Sequence, residues 1–228
     1  MTGTNTTFNL IETMAWMPGE GYLLLDRHFS RLTKSADYFQ FEFPESRLRE
    51  ALAAGSSALV TPHRVRIELL ENGEFELSAT PFQPVASEDV WDLVIAEERT
   101  CSTNRFLYHK TTNRAFYDET RQRYAEASGC QEVVFENENG YLTEGSYTTL
   151  FIEKGGRLLT PALRHGLLPG TFREGLLEAG LAEEADLTRH DLSCADAVYI
   201  GNSVRGLIRC RMFQAMPQNV QIADAASR

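Results

Sequence analysis

The sequence lacks the features that place a protein in a membrane, on nucleic acid or outside the cell. No apolar run reaches the roughly 18 residues that a spanning helix needs, so we expect no membrane partner. The formal net charge of −10 excludes the basic excess of a general nucleic-acid surface, so we expect no nucleic-acid partner. The segment Met1 to Asn9 has neither a basic nor an apolar signal region, which favours a cytoplasmic location.

Cysteine is scarce, and the spacing of metal ligands is missing. The four cysteines are far apart in the sequence and form neither a zinc knuckle nor a redox dithiol. The five histidines show no ligand spacing either. We therefore expect reduced, partly buried thiols and no metal site.

Several strong turn signals separate short alternating segments. Asn72-Gly73 predicts a hairpin between Arg64–Leu70 and Phe75–Pro81, and two further hairpins are predicted around 137–140 and 154–156. Amphipathic or alanine-rich spacing predicts helices over 26–38, 45–59, 112–128 and 169–179. Because the strands come in hairpins, the pattern predicts an α+β fold and not a doubly wound parallel sheet.

The order of elements also predicts where the chain divides. Phe8–Trp16 reads as the first strand and Tyr22–Leu25 as the second, with Asp26 as the N-cap of the first helix. The segment Pro81–Ser87 has two prolines in a short polar stretch and is the predicted linker. We therefore expect a small N-terminal α/β domain at residues 1–84 and a larger C-terminal domain at residues 85–228.

Lys110 and Glu144 are the first candidates for chemistry. A lysine before a helix, with a carboxylate on a later hairpin, suits an enzyme that uses pyridoxal phosphate. The lysine can hold the aldehyde as a Schiff base, and the carboxylate can keep the pyridine nitrogen protonated. Taken singly, each residue is more often a solvated side chain.

Three other segments can bind an anion. Pro169 and Gly170 lead into a predicted helix and leave the amides of Thr171 and Phe172 unpaired, although a plain helix start fits equally well. Arg31 can reach a phosphate from the first helix, or it can simply snorkel to solvent.

The turn that follows the strand Ala197–Ile200 is the third of these segments. It offers the amides and hydroxyl of Ser203 to an anion. Val204 and Arg205, in the same turn, are candidates for substrate contact, Arg205 through a carboxylate. The alternative for Arg205 is a surface charge.

The order of these segments resembles the fold-type IV pyridoxal phosphate enzymes, the class IV aminotransferase family. The resemblance runs from Phe8 to about Phe213. It is carried by five segments, His28-Phe29-Ser30-Arg31-Leu32, Lys110-Thr111-Thr112-Asn113-Arg114, Thr143-Glu144-Gly145-Ser146, Leu168-Pro169-Gly170-Thr171 and the stretch from Ala195-Asp196 through Ser203.

The resemblance implies a two-domain fold like that of D-amino-acid aminotransferase, a homodimer and pyridoxal 5'-phosphate as the cofactor. Lys110 is then the catalytic residue. The residues expected to bind the cofactor are Arg31, Lys110, Glu144, Thr171, Phe172 and Ser203.

Within the family, Phe8–Thr13, Pro18–Tyr22 and Gly201–Gly206 are similar to 4-amino-4-deoxychorismate lyase domains fused behind aminodeoxychorismate synthase. This implies conversion of 4-amino-4-deoxychorismate to 4-aminobenzoate and pyruvate, a step toward folate, with a synthase component as a candidate partner. An aminotransferase acting on branched-chain or D-amino acids is the alternative. A catalytically silent relative is a third hypothesis, because Thr149 and Phe172 stand where many members have asparagine and threonine.

Overall fold

The computed structural model describes residues 8–213, so the outer limits of the two predicted domains and most of the Met1–Asn9 segment lie outside the described residues. Two sheets organise this part of the chain. The first sheet and its helices are formed by β1 (Leu10–Met17), β2 (Gly21–Tyr22), α1 (Leu25–Phe39), α2 (Glu45–Ser56), β3 (His63–Leu69) and β4 (Phe75–Pro81). The strand order is β2-β1-β3-β4, and all neighbours are antiparallel.

The second sheet has eight strands, in the order β10-β9-β8-β11-β12-β5-β6-β7. In chain order its elements are β5 (Val90–Thr100), α3 (Ala115–Ser128), β6 (Glu132–Asn137), β7 (Leu142–Gly145), β8 (Thr149–Lys154), β9 (Arg157–Pro161), α4 (Thr171–Glu178), β10 (Glu183–Ala185), α5 (Arg189–Ser193), β11 (Ala197–Asn202) and β12 (Gly206–Met212). Short 3-10 turns at Arg105–Tyr108 and Leu163–His165 precede α3 and α4.

Six strands of the second sheet close into a ring. The last strand, β7, pairs with β6 and also returns to β8, where Glu144 faces Thr149. This pairing covers the otherwise open edge of β7, whose unpaired backbone groups would need partners, while β10 remains an edge strand. It also fixes the turn between β7 and β8 against the neighbouring strands.

Each sheet has its own apolar core. Phe29, Leu32 and Ala36 recur at helical spacing on α1 and pack with Met14 and Ile67 of the first sheet. Alternate residues of β8, β11 and β12 fill the core of the second sheet together with Leu192 of α5. A large apolar side chain buried in this way contributes roughly 1.5–3 kcal/mol, so these faces hold the strands that carry the polar site.

The segment before α3 joins the two sheets. The amide of Ile11 donates to the carbonyl of Lys110 at 2.8 Å, and the amide of Thr112 donates to the carbonyl of Asn9 at 2.9 Å. Leu10 and Thr111 form an antiparallel bridge. Lys110 is therefore held beside β1 by backbone hydrogen bonds and does not sit on a free loop.

The α+β prediction is confirmed, and the three predicted hairpins are present. The pattern nevertheless missed β10, α5 and the parallel pairings of β5 with β6 and β12 and of β9 with β10. Parallel strands are joined by long connections, so no short turn motif in the sequence predicts which strands pair.

Several predicted element bounds are wrong. Asp26 is not an N-cap, because Leu24 takes that position in a left-handed backbone conformation with φ of 55°. Asp26 lies instead in the first turn of α1, where its negative charge interacts favourably with the positive end of the helix dipole. The predicted strand Tyr22–Leu25 is reduced to β2 because α1 already begins at Leu25. Helix α3 begins at Ala115, since the backbone of Thr112 is hydrogen-bonded to Asn9, just before β1.

No helix among residues 8–213 combines the length and the apolar composition needed to cross a bilayer. The predicted linker Pro81–Ser87 runs from the last residue of β4 toward β5, and residues 82–86 have no regular structure. The domain division at this segment stays a prediction.

Candidate active site

One cavity of about 470 Å³ collects the predicted site residues from distant parts of the chain. Its lining includes all eight of them, namely Arg31, Lys110, Glu144, Thr171, Phe172, Ser203, Val204 and Arg205. They come from α1, from the segment before α3, from β7, from the start of α4 and from the turn after β11. Their individual roles stay predictions.

Lys110 has the chemistry of an amine that can react at neutral pH. Desolvation in the cavity, followed by the positive charges of Arg31 and Arg114, lowers the pKa of Lys110 to about 7, while Glu12 and Glu144 act in the opposite direction. An ordinary lysine stays protonated at that pH and is not a nucleophile. The cavity therefore holds a substantial fraction of neutral amine.

Glu144 lies near the end of β7 and is 8% exposed. The hydroxyl of Tyr117 donates to its Oε1 at 2.9 Å, and the amide of Leu168 donates to its Oε2 at 3.1 Å. Burial raises the pKa of Glu144 to about 7, against the effect of these two donors and of Lys110. A cationic group in the cavity would favour the ionised carboxylate.

Arg31 is fixed by a buried carboxylate that the sequence pattern did not single out. Its Nε and Nη2 donate to the two oxygens of Glu12 at 2.8 and 2.7 Å, and its Nη1 donates to the carbonyl of Pro169 at 3.0 Å. His28 lies 2.6 Å from the same carboxylate. Burial alone would raise the pKa of Glu12, but Arg31 and His28 hold it at about 2.

This geometry leaves part of the Arg31 guanidinium free. Three of its five N–H directions are used by Glu12 and Pro169, and one hydrogen each on Nη1 and Nη2 remains. Arg31 lines the cavity, so these hydrogens can serve an anion there.

The start of α4 supplies further donors. Gly170 is the N-cap and no side chain caps the helix, so the first amides are not satisfied by a capping side chain. A Cβ on Gly170 would lie 2.9 Å from Oγ1 of Thr149, so the approach of β8 requires glycine. The ring of Phe172 lies against Gly201 and contacts the ring of Phe151 edge to face. The phenylalanine that stands where many family members have threonine therefore packs between α4, β8 and β11.

The turn after β11 is held by the side chain of Asn202, for which the sequence pattern predicted no separate role. Its Oδ1 accepts the amides of Val204 and Arg205, both at 3.0 Å, and its Nδ2 donates to the carbonyl of Tyr147 at 3.2 Å. Ser203 donates its hydroxyl to the carbonyl of Thr13 at 3.2 Å. This turn thus connects the second sheet to β1.

The site also contains basic residues that the pattern left out. Arg64, Arg66 and Arg121 line the cavity in addition to Arg31, Arg114 and Arg205. The alternation Arg64-Val65-Arg66 with a buried valine was a usable signal, since both arginines must face the side opposite the core. Arg121 gave no such signal, because basic residues are common on amphipathic helices.

These groups fit pyridoxal phosphate. The free N–H groups of Arg31 and the uncapped amides of α4 match a phosphate, the neutral amine of Lys110 matches an aldehyde, and Glu144 matches a protonated ring nitrogen. Within residues 8–213, no group of three or more His, Cys, Asp or Glu side chains is arranged to hold a metal ion.

Comparison with known proteins gives consistent results. The model of the family described as amino-transferase class IV matches residues 9–213. A Schizosaccharomyces pombe protein named "Putative aminodeoxychorismate lyase" is 33% identical over 206 residues, which cover 86% of each chain.

Solved structures agree on the fold. A crystal structure titled "Putative amino-acid aminotransferase" from Mesorhizobium loti has a TM-score of 0.86 and 41% identity, covering 90% of this chain and 100% of that one. A hypothetical aminotransferase from Mycobacterium tuberculosis, in its PLP-bound form, has a TM-score of 0.78 at 20% identity, covering 90% and 81%, and so supports the fold alone. With its fold, its cavity and the family match over almost all described residues, the chain belongs to the amino-transferase class IV family of pyridoxal phosphate enzymes.

Proposed function

We propose that this protein is a pyridoxal phosphate-dependent lyase that converts 4-amino-4-deoxychorismate to 4-aminobenzoate and pyruvate. The proposal rests on the lyase relative and on one observation in the cavity. Six arginines line it, whereas Glu144 is the one acidic residue among the lining side chains of the described chain. In a chain of net charge −10, this concentration of positive charge favours a substrate with more than one carboxylate.

The cofactor would be held by the residues already described. Arg31 and the first amides of α4, those of Thr171 and Phe172, would bind its phosphate, with Ser203 from the neighbouring turn. Glu144 would bind the ring nitrogen of the cofactor, and Lys110 would hold the aldehyde of the cofactor. When bound, the cofactor supplies an electron-accepting ring that acidifies the carbon carrying the substrate amine.

Lys110 then moves the proton in this reaction. Its Nζ has a pKa of about 7, so near neutral pH it can both accept a proton and return it. In the overall conversion, the proton leaves the carbon that carries the amine and the C–O bond to the enolpyruvyl group breaks. The ring becomes aromatic, and the released enol takes up a proton as pyruvate, so no oxidant or second substrate is needed.

The substrate itself would be held through Val204 and Arg205. The turn that contains both residues is fixed by Asn202, and the guanidinium of Arg205 lies 5.3 Å from the ring of Trp91. A cation stacked on an aromatic ring still presents its N–H edge to a carboxylate.

An aminotransferase acting on branched-chain or D-amino acids is the second candidate function. The observation in its favour is the 41% identity to the Mesorhizobium loti structure named "Putative amino-acid aminotransferase". An aliphatic side chain, however, needs a mainly apolar pocket, and this cavity is lined by many charged and polar groups.

The two functions are separated by one assay. The purified holoenzyme receives 4-amino-4-deoxychorismate with no 2-oxo acid present, and 4-aminobenzoate is measured by fluorescence. A lyase forms many equivalents of 4-aminobenzoate per active site. An aminotransferase forms none catalytically, and it instead transfers the amino group of leucine or D-alanine to 2-oxoglutarate.

The proposed reaction also implies an assembly, a location and a pathway. We infer a homodimer, a cytoplasmic location and a place in folate biosynthesis, with an aminodeoxychorismate synthase component as the supplier of substrate. The nature of the proposed substrate and the family of the chain support this inference. Sedimentation of the purified protein tests the dimer, and a pull-down with the synthase component tests the partner.

A further inference from the structure

Arg121 is a cavity residue with no assigned task. It lies on α3, four residues after Tyr117, so the two side chains share one face of the helix. From this face the hydroxyl of Tyr117 donates to Glu144, and both Tyr117 and Arg121 line the cavity. Arg121 therefore lies in the wall of the space where a substrate must bind.

The polar groups of Arg121 are incompletely satisfied. Its Nε is buried and has no hydrogen-bond partner among the described residues, and none of their carboxylates lies within 4 Å of its guanidinium. Arg123, two residues later, pairs with Glu98 at 2.9 Å on the outer side of the helix. A buried donor without a partner is costly, which points to a group that the protein itself does not supply.

The surroundings of Arg121 suit a planar, negatively charged ligand. Its guanidinium carbon lies 5.5 Å from the ring centroid of Tyr147, and the carbonyl of Tyr147 is bound by Asn202, which also holds the Arg205 turn. Burial, assisted by Glu132, raises the pKa of Tyr147 to about 12, against the charges of Arg205, Arg121 and Arg114. Arg121 and Arg205 thus act on the same region of the cavity.

We propose that Arg121 binds one of the two carboxylates of the substrate, beside the ring of Tyr147, and so selects a dianion over a monocarboxylate. The inference rests on the proposed function, because 4-amino-4-deoxychorismate carries two carboxylates. Arg205 alone can neutralise one of them. Arg121 supplies the second cation, and its planar N–H groups bind a carboxylate in a directed way.

Binding of chorismate tests this inference without turnover. Chorismate has the same two carboxylates but a hydroxyl where the substrate has its amine, so it cannot react with the cofactor. Its dissociation constant is measured by calorimetry for the wild-type holoenzyme and for Arg121→Gln, Arg121→Lys and Arg123→Gln. The last variant is the matched control, since it makes the same change on the outer side of α3.

The expected result is a dissociation constant about ten- to hundredfold higher for Arg121→Gln, with partial recovery in Arg121→Lys and less than about twofold change in Arg123→Gln. KM for the lyase substrate rises in parallel, and cofactor content stays unchanged. Equal affinities of Arg121→Gln and Arg123→Gln, with tight binding by the wild type, would overturn the inference and leave the lyase function standing. A wild type that neither binds chorismate nor forms 4-aminobenzoate would overturn the proposed function itself.

Discussion

Lys110 shows how a single residue acquires its chemistry from its neighbours. The carbonyl of Lys110 accepts a hydrogen bond from Ile11 of β1, which fixes its backbone. The positive charges of Arg31 and Arg114 disfavour protonation of its amine in the cavity. Desolvation and like charges both favour the neutral amine. Nothing in the local sequence around Lys110 supplies Arg31, which lies on another element.

The reactivity of Lys110 has a predicted pH dependence. We expect the rate at which apoenzyme takes up pyridoxal phosphate to rise as pH increases through about 7 and then to level off, because the pKa of Lys110 is lowered from its ordinary 10.5 to about 7. Stopped-flow absorbance measures this rate. Arg114→Gln removes one of the opposing charges, so its midpoint should move to higher pH. A rate that keeps rising to pH 10 in the wild type would contradict the lowered pKa.

The residues of the site differ in how well the sequence predicts them. Lys110 and Glu144 stand next to helix or turn signals, where a polar side chain attracts notice. Glu12 and Tyr117 lie inside a strand and a helix, and they gain partners only where β1 packs against α1 and where α3 approaches Glu144 of β7. Their importance depends on tertiary contacts that spacing along the chain cannot predict.

At the scale of elements, the start of α4 is sensitive to small steric changes. Gly170 has an ordinary backbone conformation, with φ of −65°, so its role is not conformational freedom. It is needed because a side chain would meet Oγ1 of Thr149 at 2.9 Å. The position of the α4 amides that we expect to bind phosphate therefore depends on how closely β8 approaches this helix.

Gly170→Ala is predicted to weaken cofactor binding. Overpacking at a close contact costs roughly 1–3 kcal/mol, so we expect the dissociation constant for pyridoxal phosphate to rise by about tenfold, as measured by fluorescence titration. The matched control is Gly175→Ala in the same helix, where the nearest atom is Nε of Arg27 at 3.8 Å. That change should leave the cofactor affinity unaltered and stabilise the fold by about 0.5–1 kcal/mol. Equal cofactor affinity in the two variants would contradict the steric argument.

The elements themselves were largely predictable, but their ends and partners were not. Asn72-Gly73 correctly predicts the hairpin of β3 and β4, because such a turn fixes both strands. Asp26 gave a wrong helix start, since the left-handed conformation of Leu24 cannot be read from a leucine. The parallel neighbours of β5 were missed because their connections pass through whole helices or hairpins.

At the scale of the whole molecule, the pair Glu12 and Arg31 connects the fold to the site. Arg31 binds Glu12 on β1 and the carbonyl of Pro169 before α4, so one guanidinium joins the first sheet to the second half of the chain. Both side chains are buried, and removing one partner leaves an uncompensated charge.

This pair predicts how stability changes with acid. The pKa of Glu12 is lowered from 4.5 to about 2, so its stabilisation is complete above pH 4.5 and is lost as the pH falls through about 2. Glu12→Gln should lower the free energy of unfolding at pH 7 by about 3–5 kcal/mol and flatten its decline between pH 4.5 and 2.

Urea unfolding at each pH measures both effects. Glu45→Gln is the control, since Glu45 pairs with Arg49 on the surface of α2 and should change stability by less than about 1 kcal/mol. An equally steep acid decline in Glu12→Gln and wild type would contradict the role of the buried pair.

The attachment of the cofactor is open to one direct measurement. The chain has three lysines, Lys34, Lys110 and Lys154, so borohydride reduction of the holoenzyme followed by peptide mapping distinguishes them unambiguously. We expect the pyridoxyl group on the peptide that contains Lys110, none on the other two lysines, and loss of the visible absorption band in Lys110→Ala. A reduced protein with no pyridoxyl group, or with the group on Lys34 or Lys154, would contradict the proposed active site.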